Sequence, residues 1–310
     1  MRRPDAKGDF PGSSACPQCG SSDLRNFAAN AHDETGGAKI RVHVCVDCDF
    51  AWQWPWRRTT ETSQKYFETE YQSAAEGSYF DTGRRQGIAA QQFDYVRSRV
   101  DRMSTLLDIG GGDGAFVDVV AAAGVGATGV DPAMPAHRAR NGNPNLICGF
   151  VDELPAAQKF DVVTMWDVIE HLEDPLAVLK SAAARLAPGG RLFVETGNFQ
   201  SAGRIESGGD WWCYQADHRW YFAPPVIRQM MAELGLIDID VCERVLRPWW
   251  KGARTAPEVG VARVLKESLK RPHRLFQNIE KFRDLRKCSQ RWPEWNGLEI
   301  FTISGAMPAQ

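Results

Sequence analysis

The chain has 310 residues, of which 43% are hydrophobic and 25% are charged, and its formal net charge is −2. This composition is typical of a globular protein and contains nothing near the roughly 18 uninterrupted apolar residues of a membrane span. Residues 1–10 lack the apolar region of a secretory signal. The length predicts one α/β domain with a small accessory unit, in a protein that we expect to be cytoplasmic.

Four of the eight cysteines form two Cys-x-x-Cys pairs near the N-terminus, namely Cys16, Cys19, Cys45 and Cys48. In a reducing compartment such pairs indicate a metal or redox site more often than disulfides. Strand-like residues on both sides of a polar turn at 32–37 would bring four thiolates into the tetrahedron that a structural Zn²⁺ accepts. We therefore predict a zinc ribbon over residues 15–58. Iron in a rubredoxin-like site and two redox pairs are the alternatives.

Two further features of the ribbon sequence affect its structure. Asp49 follows the second cysteine pair, where such ribbons often have glycine, and this puts the turn conformation there in question. Trp52, Trp54 and Trp56 alternate at strand spacing, which predicts that they share one face. That face would dock the ribbon onto the main domain, or alternatively form a stacking platform for a sugar or base.

The stretch Leu106–Phe116 reads as a strand, a glycine-rich turn and the start of a helix. Its glycines allow positive φ and a close ligand approach, and the N–H groups that open the helix face the same cleft. Gly110 and Gly112 begin a Gly-x-Gly-x-x-Ala pattern typical of dinucleotide sites, with Asp131 about 20 residues on. However, the Asp108 carboxylate would repel a pyrophosphate and attract the ammonium of a methionine-like ligand. This charge favours S-adenosylmethionine over NAD.

Strand and helix signals alternate after residue 104. The predicted elements are strands at 104–109, 126–130, 145–148, 160–166 and 191–195 and helices at 114–123 and 175–186, the last ended by Pro188-Gly189-Gly190. This order predicts a parallel sheet with helices on both faces, in which ligands bind beyond the carboxyl ends of the strands. Asp108, Asp131, Phe150 and Asp167 lie at or just past strand ends, so we expect them beside one cleft.

Five motifs follow one another in a recognisable order. They are Asp108-x-Gly110-x-Gly112-x-Gly114, Gly129-Val130-Asp131, Phe160-Asp161-Val162-Val163, Asp167-Val168-Ile169-Glu170-His171 and Leu186-Ala187-Pro188-Gly189-Gly190. This set resembles the class I S-adenosylmethionine-dependent methyltransferases over roughly residues 60–305. The resemblance implies an enzyme with a Rossmann-like seven-stranded sheet and helices on both faces. It implies much less about the substrate.

The resemblance also implies which residues bind S-adenosylmethionine. Asp131 would accept hydrogen bonds from both ribose hydroxyls, and Asp108 would lie near the ammonium group. The glycines would border the methionine part, while Phe150 and Val151 would line the adenine. The complete expected set is Asp108, Gly110, Gly112, Gly114, Asp131, Phe150, Val151 and Asp167.

Residues 198–222, here named the aromatic segment, follow the fifth strand and are too aromatic for a disordered loop. The sequence His218-Arg219-Trp220-Tyr221-Phe222-Ala223-Pro224 resembles the His-x-x-Tyr-Phe-Ser-Pro segment of many small-molecule methyltransferases. Sulfonium methyl transfer depends on alignment and needs a base only if the acceptor begins protonated. For a hydroxyl acceptor, His218 is the first candidate base and His171, beside Glu170, the second. Tyr221 completes the predicted catalytic set.

Residues 244–291 hold 14 Lys and Arg against 4 Asp and Glu. Their apolar spacing predicts two basic amphipathic helices, inserted at about 247–292. A membrane surface contacted through 258–288, an anionic acceptor or nucleic acid would suit such helices. A solvated helical pair is the alternative.

The sequence therefore predicts methyl transfer to a small molecule such as a sugar, nucleotide-sugar or secondary metabolite, at oxygen rather than carbon or nitrogen. An RNA methyltransferase that grips phosphates with the ribbon and basic helices, and a non-catalytic zinc-ribbon binding protein, are the alternatives. Against the former, Met165-Trp166-Asp167-Val168 lacks an Asn/Asp-Pro-Pro-Tyr signature. The predicted units are a flexible N-terminus (1–14), the ribbon (15–58), a helical cap with Arg84 or Arg85 (59–103) and the methyltransferase domain (104–310).

Overall fold

The computed structural model describes residues 14–31, 39–57, 65, 69, 82–133, 145–242 and 299–309. Four predictions lie wholly or mostly outside these residues: the flexible N-terminus at 1–14, the polar turn at 32–37, the part of the helical cap before residue 82, and the basic insertion at 247–292. Within the described residues, no helix has both the length and the apolar character needed to cross a membrane.

The described chain contains eleven strands and five α-helices. The strands are β1 (Leu24–Asn30), β2 (Lys39–Cys45), β3 (Ala51–Gln53), β4 (Thr105–Ile109), β5 (Gly126–Asp131), β6 (Leu146–Cys148), β7 (Phe160–Trp166), β8 (Leu186–Gly197), β9 (Trp220–Tyr221), β10 (Ile237–Val241) and β11 (Ile300–Ala306). The helices are α1 (Thr82–Arg97), α2 (Ala115–Ala122), α3 (Pro175–Ala184), α4 (Ala202–Ser207) and α5 (Pro224–Glu233).

A seven-stranded sheet forms the main body, in the order β10-β11-β8-β7-β4-β5-β6. The strands from β8 to β6 in this order are parallel, whereas β11 runs antiparallel to β8 and β10 antiparallel to β11. The predicted seven-stranded α/β architecture is confirmed. The strand β4 is the middle one of the five parallel strands, so the loop that follows it opens in the middle of their carboxyl edge.

Alternating side chains of the central strands build two cores on the two faces of the sheet. Leu106 and Val162 pack with residues of α1 and α2 on one face. Leu107 and Val163 pack with residues of α3 and α5 on the other. Helices therefore cover both faces, as the alternating strand and helix signals predict.

One predicted boundary is wrong. The helix α3 ends at Ala184, and Leu186 already pairs with Phe160 as part of β8, so Pro188-Gly189-Gly190 lies inside a strand instead of ending the helix. The register between β7 and β8 is irregular before Val162. This irregularity accommodates a proline and two glycines near the start of an otherwise regular strand.

A smaller four-stranded sheet has the order β1-β2-β3-β9. Its first three strands belong to the cysteine-rich region, and the antiparallel pairing of β1 with β2 agrees with the predicted ribbon hairpin. The fourth strand, β9, comes from the aromatic segment, because Ala51 pairs with Tyr221 and Trp52 with Trp220. Trp52 is completely buried, which favours the docking role of the tryptophans over a stacking platform.

Candidate functional site

The glycine-rich loop after β4 has the backbone conformation that its sequence predicts. Gly110, Gly112 and Gly114 all have positive φ, at 74°, 54° and 84°. A Cβ at Gly110 would lie 2.4 Å from a methyl carbon of Val168, and one at Gly114 would lie 2.6 Å from a methyl carbon of Leu146. A Cβ at either position would clash with a neighbouring side chain, so the loop can pack against Val168 and Leu146 only with glycine there.

Two carboxylates lie beside this loop. Asp108 is buried, and its Oδ1 accepts a hydrogen bond from Thr164 Oγ1 at 2.7 Å. Burial raises the pKa of Asp108 to about 7, because desolvation disfavours the charged form. Asp131 accepts from the backbone N–H of Gly112 at 3.1 Å and of Ala133 at 2.7 Å, and burial also raises its pKa. Asp131 therefore ties the end of β5 to the glycine loop.

The helix α1 contributes an arginine to the same loop. Arg85 Nη2 lies 2.9 Å from Asp113 Oδ1, and Arg85 Nε donates to the same oxygen at 3.0 Å. Asp113 also accepts from the N–H of Ala115, the first residue of α2. Arg85 therefore connects the predicted cap to the loop. Asp113 was not predicted, although it lies within the glycine motif.

The remaining residues of the predicted cofactor set lie at the same edge of the sheet. Phe150, after β6, exposes 55% of its surface, whereas Val151 beside it is buried. Asp167, directly after β7, has a φ of 54°, which is uncommon for a residue other than glycine. Strained backbone of this kind concentrates at binding sites, and the Asp167 N–H donates to the carbonyl oxygen of Glu195 on β8.

Glu170, His171 and His218 come together next to this edge. One donor or acceptor atom from each side chain lies within 4.8 Å of the others. The two histidine rings pack edge to face, with ring centres 4.6 Å apart. His171 Nδ1 lies 3.2 Å from Asp217 Oδ2, and Cys213 Sγ lies 3.6 Å from His218 Nδ1. The structure thus brings together three of the four predicted catalytic residues, and it adds Asp217.

We name Glu170, His171, Asp217 and His218 the histidine cluster. Their charges follow from burial and from the ion pair between His171 and Asp217. Burial alone would lower the pKa of His171, but Asp217 outweighs it and raises the pKa to about 9. Burial and then the charge of His171 lower the pKa of His218 to about 4. Burial raises the pKa of Glu170 to about 7. At neutral pH, His171 is therefore a cation and His218 is neutral.

The fourth predicted catalytic residue, Tyr221, lies in a different environment. Its ring packs against Tyr214 at 5.2 Å and Phe199 at 5.9 Å, in a core shared with the ribbon strands. Burial raises the pKa of Tyr221 well above its ordinary value. These contacts favour a packing role for Tyr221.

Glu299 anchors the aromatic segment to the main sheet. Its Oε2 accepts hydrogen bonds from the indole N–H groups of Trp211 at 3.0 Å and Trp212 at 3.3 Å, directly before β11. No local sequence pattern indicates this contact, because Glu299 lies nearly 90 residues away from its partners. The tryptophans therefore fix the segment in place and do not form an open aromatic pocket wall.

The four cysteines of the two pairs form one cluster. Sγ of Cys16 lies 3.6 Å from that of Cys48, and Sγ of Cys19 lies 3.5 Å from that of Cys45. A tetrahedral site with metal–sulfur bonds of 2.3 Å requires sulfur–sulfur distances of about 3.8 Å. All four ligand atoms lie within 4.8 Å of one another. The donor set and its spacing therefore fit a closed tetrahedral metal site.

The turns that carry the cysteines have matching backbone geometry. In the first, the N–H of Gly20 donates to the carbonyl oxygen of Cys16, and in the second the N–H of Asp49 donates to that of Cys45. Gly20 and Asp49 have φ values of 78° and 58°. Aspartate is among the few residues that tolerate this conformation, so the missing glycine does not disturb the second turn.

Comparison with known proteins decides the family. The family described as "Methyltransferase domain" matches residues 82–241, just over half of the chain. The chain belongs to this family. The matched residues include the glycine loop, both carboxylates and the histidine cluster.

Two relatives carry the name "Ubiquinone biosynthesis O-methyltransferase". The protein from Actinobacillus pleuropneumoniae is 34% identical over 122 residues, which cover 34% of this chain and 52% of the relative. The protein from Methylobacterium nodulans is 31% identical over 159 residues, covering 46% and 64%. The chain thus spans about half to two thirds of the length of these curated relatives.

A solved structure from Archaeoglobus fulgidus, described as a SAM-dependent methyltransferase, has a similar fold. Its TM-score to this chain is 0.50 at 20% sequence identity, and the match covers 78% of this chain and 99% of that one. At this identity the similarity concerns the fold alone, and it agrees with the seven-stranded sheet and its helices.

The cofactor side of the cleft fits S-adenosylmethionine. Asp108 is a buried carboxylate whose pKa is raised by burial, and a methionine ammonium beside it would compensate its charge. Gly110, Gly112 and Gly114 give the loop its positive φ angles next to this carboxylate. Asp131 uses one lone pair of each oxygen on the backbone, and a carboxylate offers about four such sites, so it can still accept from ribose hydroxyls.

The ion pair between His171 and Asp217 yields a test of the cluster's charges. Because the pKa of His171 is raised, the pair stabilises the fold below the ordinary histidine pKa, and this stabilisation is lost as pH rises through about 9. We expect Asp217→Asn to lower the free energy of unfolding by roughly 3 kcal/mol at pH 7. The loss should be much smaller at pH 10. Urea unfolding of both proteins at the two pH values measures it.

The matched control for this test is Asp94→Asn, at an exposed carboxylate on α1. Its unfolding free energy should equal that of the wild type at both pH values. An equally large loss in Asp217→Asn at pH 7 and pH 10 would show that His171 carries no charge at neutral pH.

Proposed function

We propose that the protein transfers a methyl group from S-adenosylmethionine to a hydroxyl oxygen of a small molecule. The observation that carries this proposal is the histidine cluster at the carboxyl edge of the sheet, where a neutral His218 contacts a cationic His171. A neutral imidazole can take a proton from a hydroxyl, as O-methylation requires. The O-methyltransferase name of the relatives agrees with this chemistry.

On the cofactor side, we assign the predicted roles to residues whose positions suit them. Asp131 accepts from the ribose hydroxyls, Asp108 compensates the ammonium, and the glycine loop borders the methionine part. Phe150, exposed at the end of β6, covers the adenine together with Val151. Asp167 lies at the end of β7, between the cofactor and the histidine cluster. When bound, S-adenosylmethionine supplies a methyl group on a positively charged sulfur, which an acceptor oxygen displaces in line.

On the acceptor side, His218 is the base and His171 orients it. His171 holds its proton at neutral pH and therefore cannot accept another. Burial and the positive charge of His171 lower the pKa of His218, so His218 carries no proton at neutral pH. It can therefore take the proton of a hydroxyl of low pKa while the oxygen–methyl bond forms and the carbon–sulfur bond breaks. Glu170 and Asp217 compensate the positive charge that His218 then carries.

The acceptor that fits this arrangement is a small molecule with a hydroxyl group of low pKa. Phenols and catechols meet this requirement best, because their oxygen needs only a weak base. Sugars and nucleotide-sugars, which the sequence also suggests, have less acidic hydroxyls and would depend more strongly on His218.

We further propose that the four cysteines bind one structural Zn²⁺ and that residues 15–58 form a zinc ribbon. The sulfur–sulfur distances and the matching turns support this assignment. All four positions of the tetrahedron are occupied by cysteines, so such a metal stabilises the ribbon and is not open to substrate.

The function is tested by incubating the protein with methyl-labelled S-adenosylmethionine and a panel of catechols, phenols, sugars and nucleotide-sugars. We expect one class to become labelled. His218→Ala should then lower turnover at pH 7 about 100-fold, as loss of a general base does. Its activity should recover as pH rises, since the acceptor ionises without help. Its affinity for S-adenosylhomocysteine, measured by calorimetry, should equal that of the wild type.

Normal turnover by His218→Ala at pH 7 would contradict the assignment of the base. Absence of labelled product from every class in the panel would contradict the proposed acceptor chemistry.

A further inference from the structure

Gln53, the last residue of β3, connects the ribbon to the turn that carries His218. It is completely buried. Its side-chain Nε2 donates to the carbonyl oxygen of His218 at 3.1 Å and lies 3.5 Å from that of Ala216. Its backbone N–H donates to the carbonyl oxygen of Arg219 at 2.8 Å. One residue of the ribbon therefore holds both the main chain of His218 and that of its neighbour.

The contact lies where strand pairing stops. Ladder hydrogen bonds between β3 and β9 cover Ala51 and Trp52 opposite Tyr221 and Trp220. Backbone pairing ends with the bond from the Gln53 N–H to the Arg219 carbonyl oxygen, and the carbonyl groups of Ala216 and His218 lie beyond it. A side-chain amide can reach them, because its two N–H groups extend beyond the strand.

The same turn is held from the main domain as well. The N–H of Arg219 donates to the carbonyl oxygen of Glu170 at 2.8 Å, and the Arg219 guanidinium lies over the ring of Trp56, 4.6 Å from its centre. The His218 turn is therefore fixed between the histidine cluster on one side and the ribbon on the other. Loss of the Gln53 side-chain amide would leave the buried carbonyl group of His218 without this donor. Because an unsatisfied buried carbonyl is unfavourable, we expect the turn to shift.

From these contacts we infer that Gln53 is a positioning residue for His218, through which the ribbon sets the acceptor side of the site and leaves the cofactor side unaffected. The inference rests on the proposed role of His218 as the base. The described contacts of the glycine loop, Asp108 and Asp131 come from the main domain. Gln53 acts only through the main chain of the turn, and it is not itself a catalytic residue.

The test uses two variants of the full-length, metal-loaded protein. Gln53→Met keeps the volume and removes the polar group, and Gln53→Glu keeps the shape and removes the N–H donors. The matched control is Gln215→Glu, the same chemical change in the same segment, where the side chain donates only within the segment to the carbonyl oxygen of Trp212.

The measured quantity is the ring signal of His218 in a protein with ¹³C-labelled histidines, assigned by its loss in His218→Gln. The groups that face this ring are Glu170, His171, Asp217, Asp167 and the Cys213 thiol. We expect the wild type and the control to keep a sharp, neutral His218 signal down to about pH 5. In both Gln53 variants the signal should broaden and titrate at a pH at least one unit higher, a tenfold change in proton affinity. Affinity for S-adenosylhomocysteine should change less than threefold.

A His218 signal unchanged in both Gln53 variants would overturn the inference. A loss of S-adenosylhomocysteine affinity parallel to the change at His218, or failure of both variants to fold, would assign Gln53 to general stability and overturn it as well. The measurement needs no acceptor. An unchanged His218 signal in the Gln53 variants therefore contradicts this inference alone. Normal turnover by His218→Ala contradicts the proposed function.

Discussion

Asp131→Ala is expected to weaken S-adenosylmethionine binding about 100-fold, which corresponds to about 2.7 kcal/mol. Two hydrogen bonds to a charged acceptor, each worth roughly 1.5 kcal/mol or more, account for a loss of this size. The variant also loses the hydrogen bonds from the N–H groups of Gly112 and Ala133, which shape the glycine loop. Calorimetric titration with S-adenosylmethionine measures the change.

Asp161→Ala is the matched control for this prediction. Asp161 Oδ2 also accepts from two backbone N–H groups, those of Ser104 and Thr105, but it lies near the start of β7, at the opposite edge of the sheet from the glycine loop. The Asp161→Ala variant should lose about as much free energy of unfolding as Asp131→Ala, and it should keep wild-type affinity for S-adenosylmethionine. Equal affinities in Asp131→Ala and Asp161→Ala would rule out the assignment of the carboxyl edge as the cofactor site.

Removal of the proposed ribbon metal is expected to slow methyl transfer while the protein still binds the cofactor. Structural zinc contributes on the order of 10 kcal/mol to the folding of small domains, and Cys45→Ser removes one of its four ligands. Without a folded ribbon, β9 loses its partner strand and the His218 turn loses Gln53. We expect bound metal to fall well below one ion per chain and methyl transfer to fall by about tenfold or more.

The control for the cysteine change is Cys242→Ser, which alters a buried thiol outside the cluster. It should retain its metal and its methyl transfer. Metal analysis by mass spectrometry and calorimetry with S-adenosylhomocysteine complete the measurement. A metal-free Cys45→Ser protein with normal methyl transfer would refute the proposed dependence of the acceptor side on the ribbon.

Local sequence determines much of the fold and of the cofactor side. Short stretches of neighbouring residues predict three features: the glycine loop, the strand ends that carry Asp108 and Asp131, and the paired strands of the ribbon. The structure has each of them at the predicted residues. The error at Pro188-Gly189-Gly190 has a physical cause. Proline and glycine often end helices, but here β8 begins sooner and the irregular register beside β7 tolerates them.

The acceptor side could not be predicted as fully, because its contacts join distant parts of the chain. The partner of His171 is Asp217, 46 residues away, and the partners of Gln53 are backbone carbonyl groups about 165 residues away. Carbonyl groups have no sequence signature. Most rings of the aromatic segment are buried against the ribbon or bound to Glu299, through contacts that local sequence does not indicate.

The proposed O-methylation is tested most directly by identifying the atom that receives the methyl group. The protein is incubated with ¹³C-methyl-labelled S-adenosylmethionine and the acceptor found in the panel, and the product is examined by ¹³C NMR. We expect a signal in the O-methyl region when the wild type is used. With His218→Ala at pH 7 this signal should be strongly reduced. A label on carbon or nitrogen, or one formed equally well without His218, would contradict the proposed function.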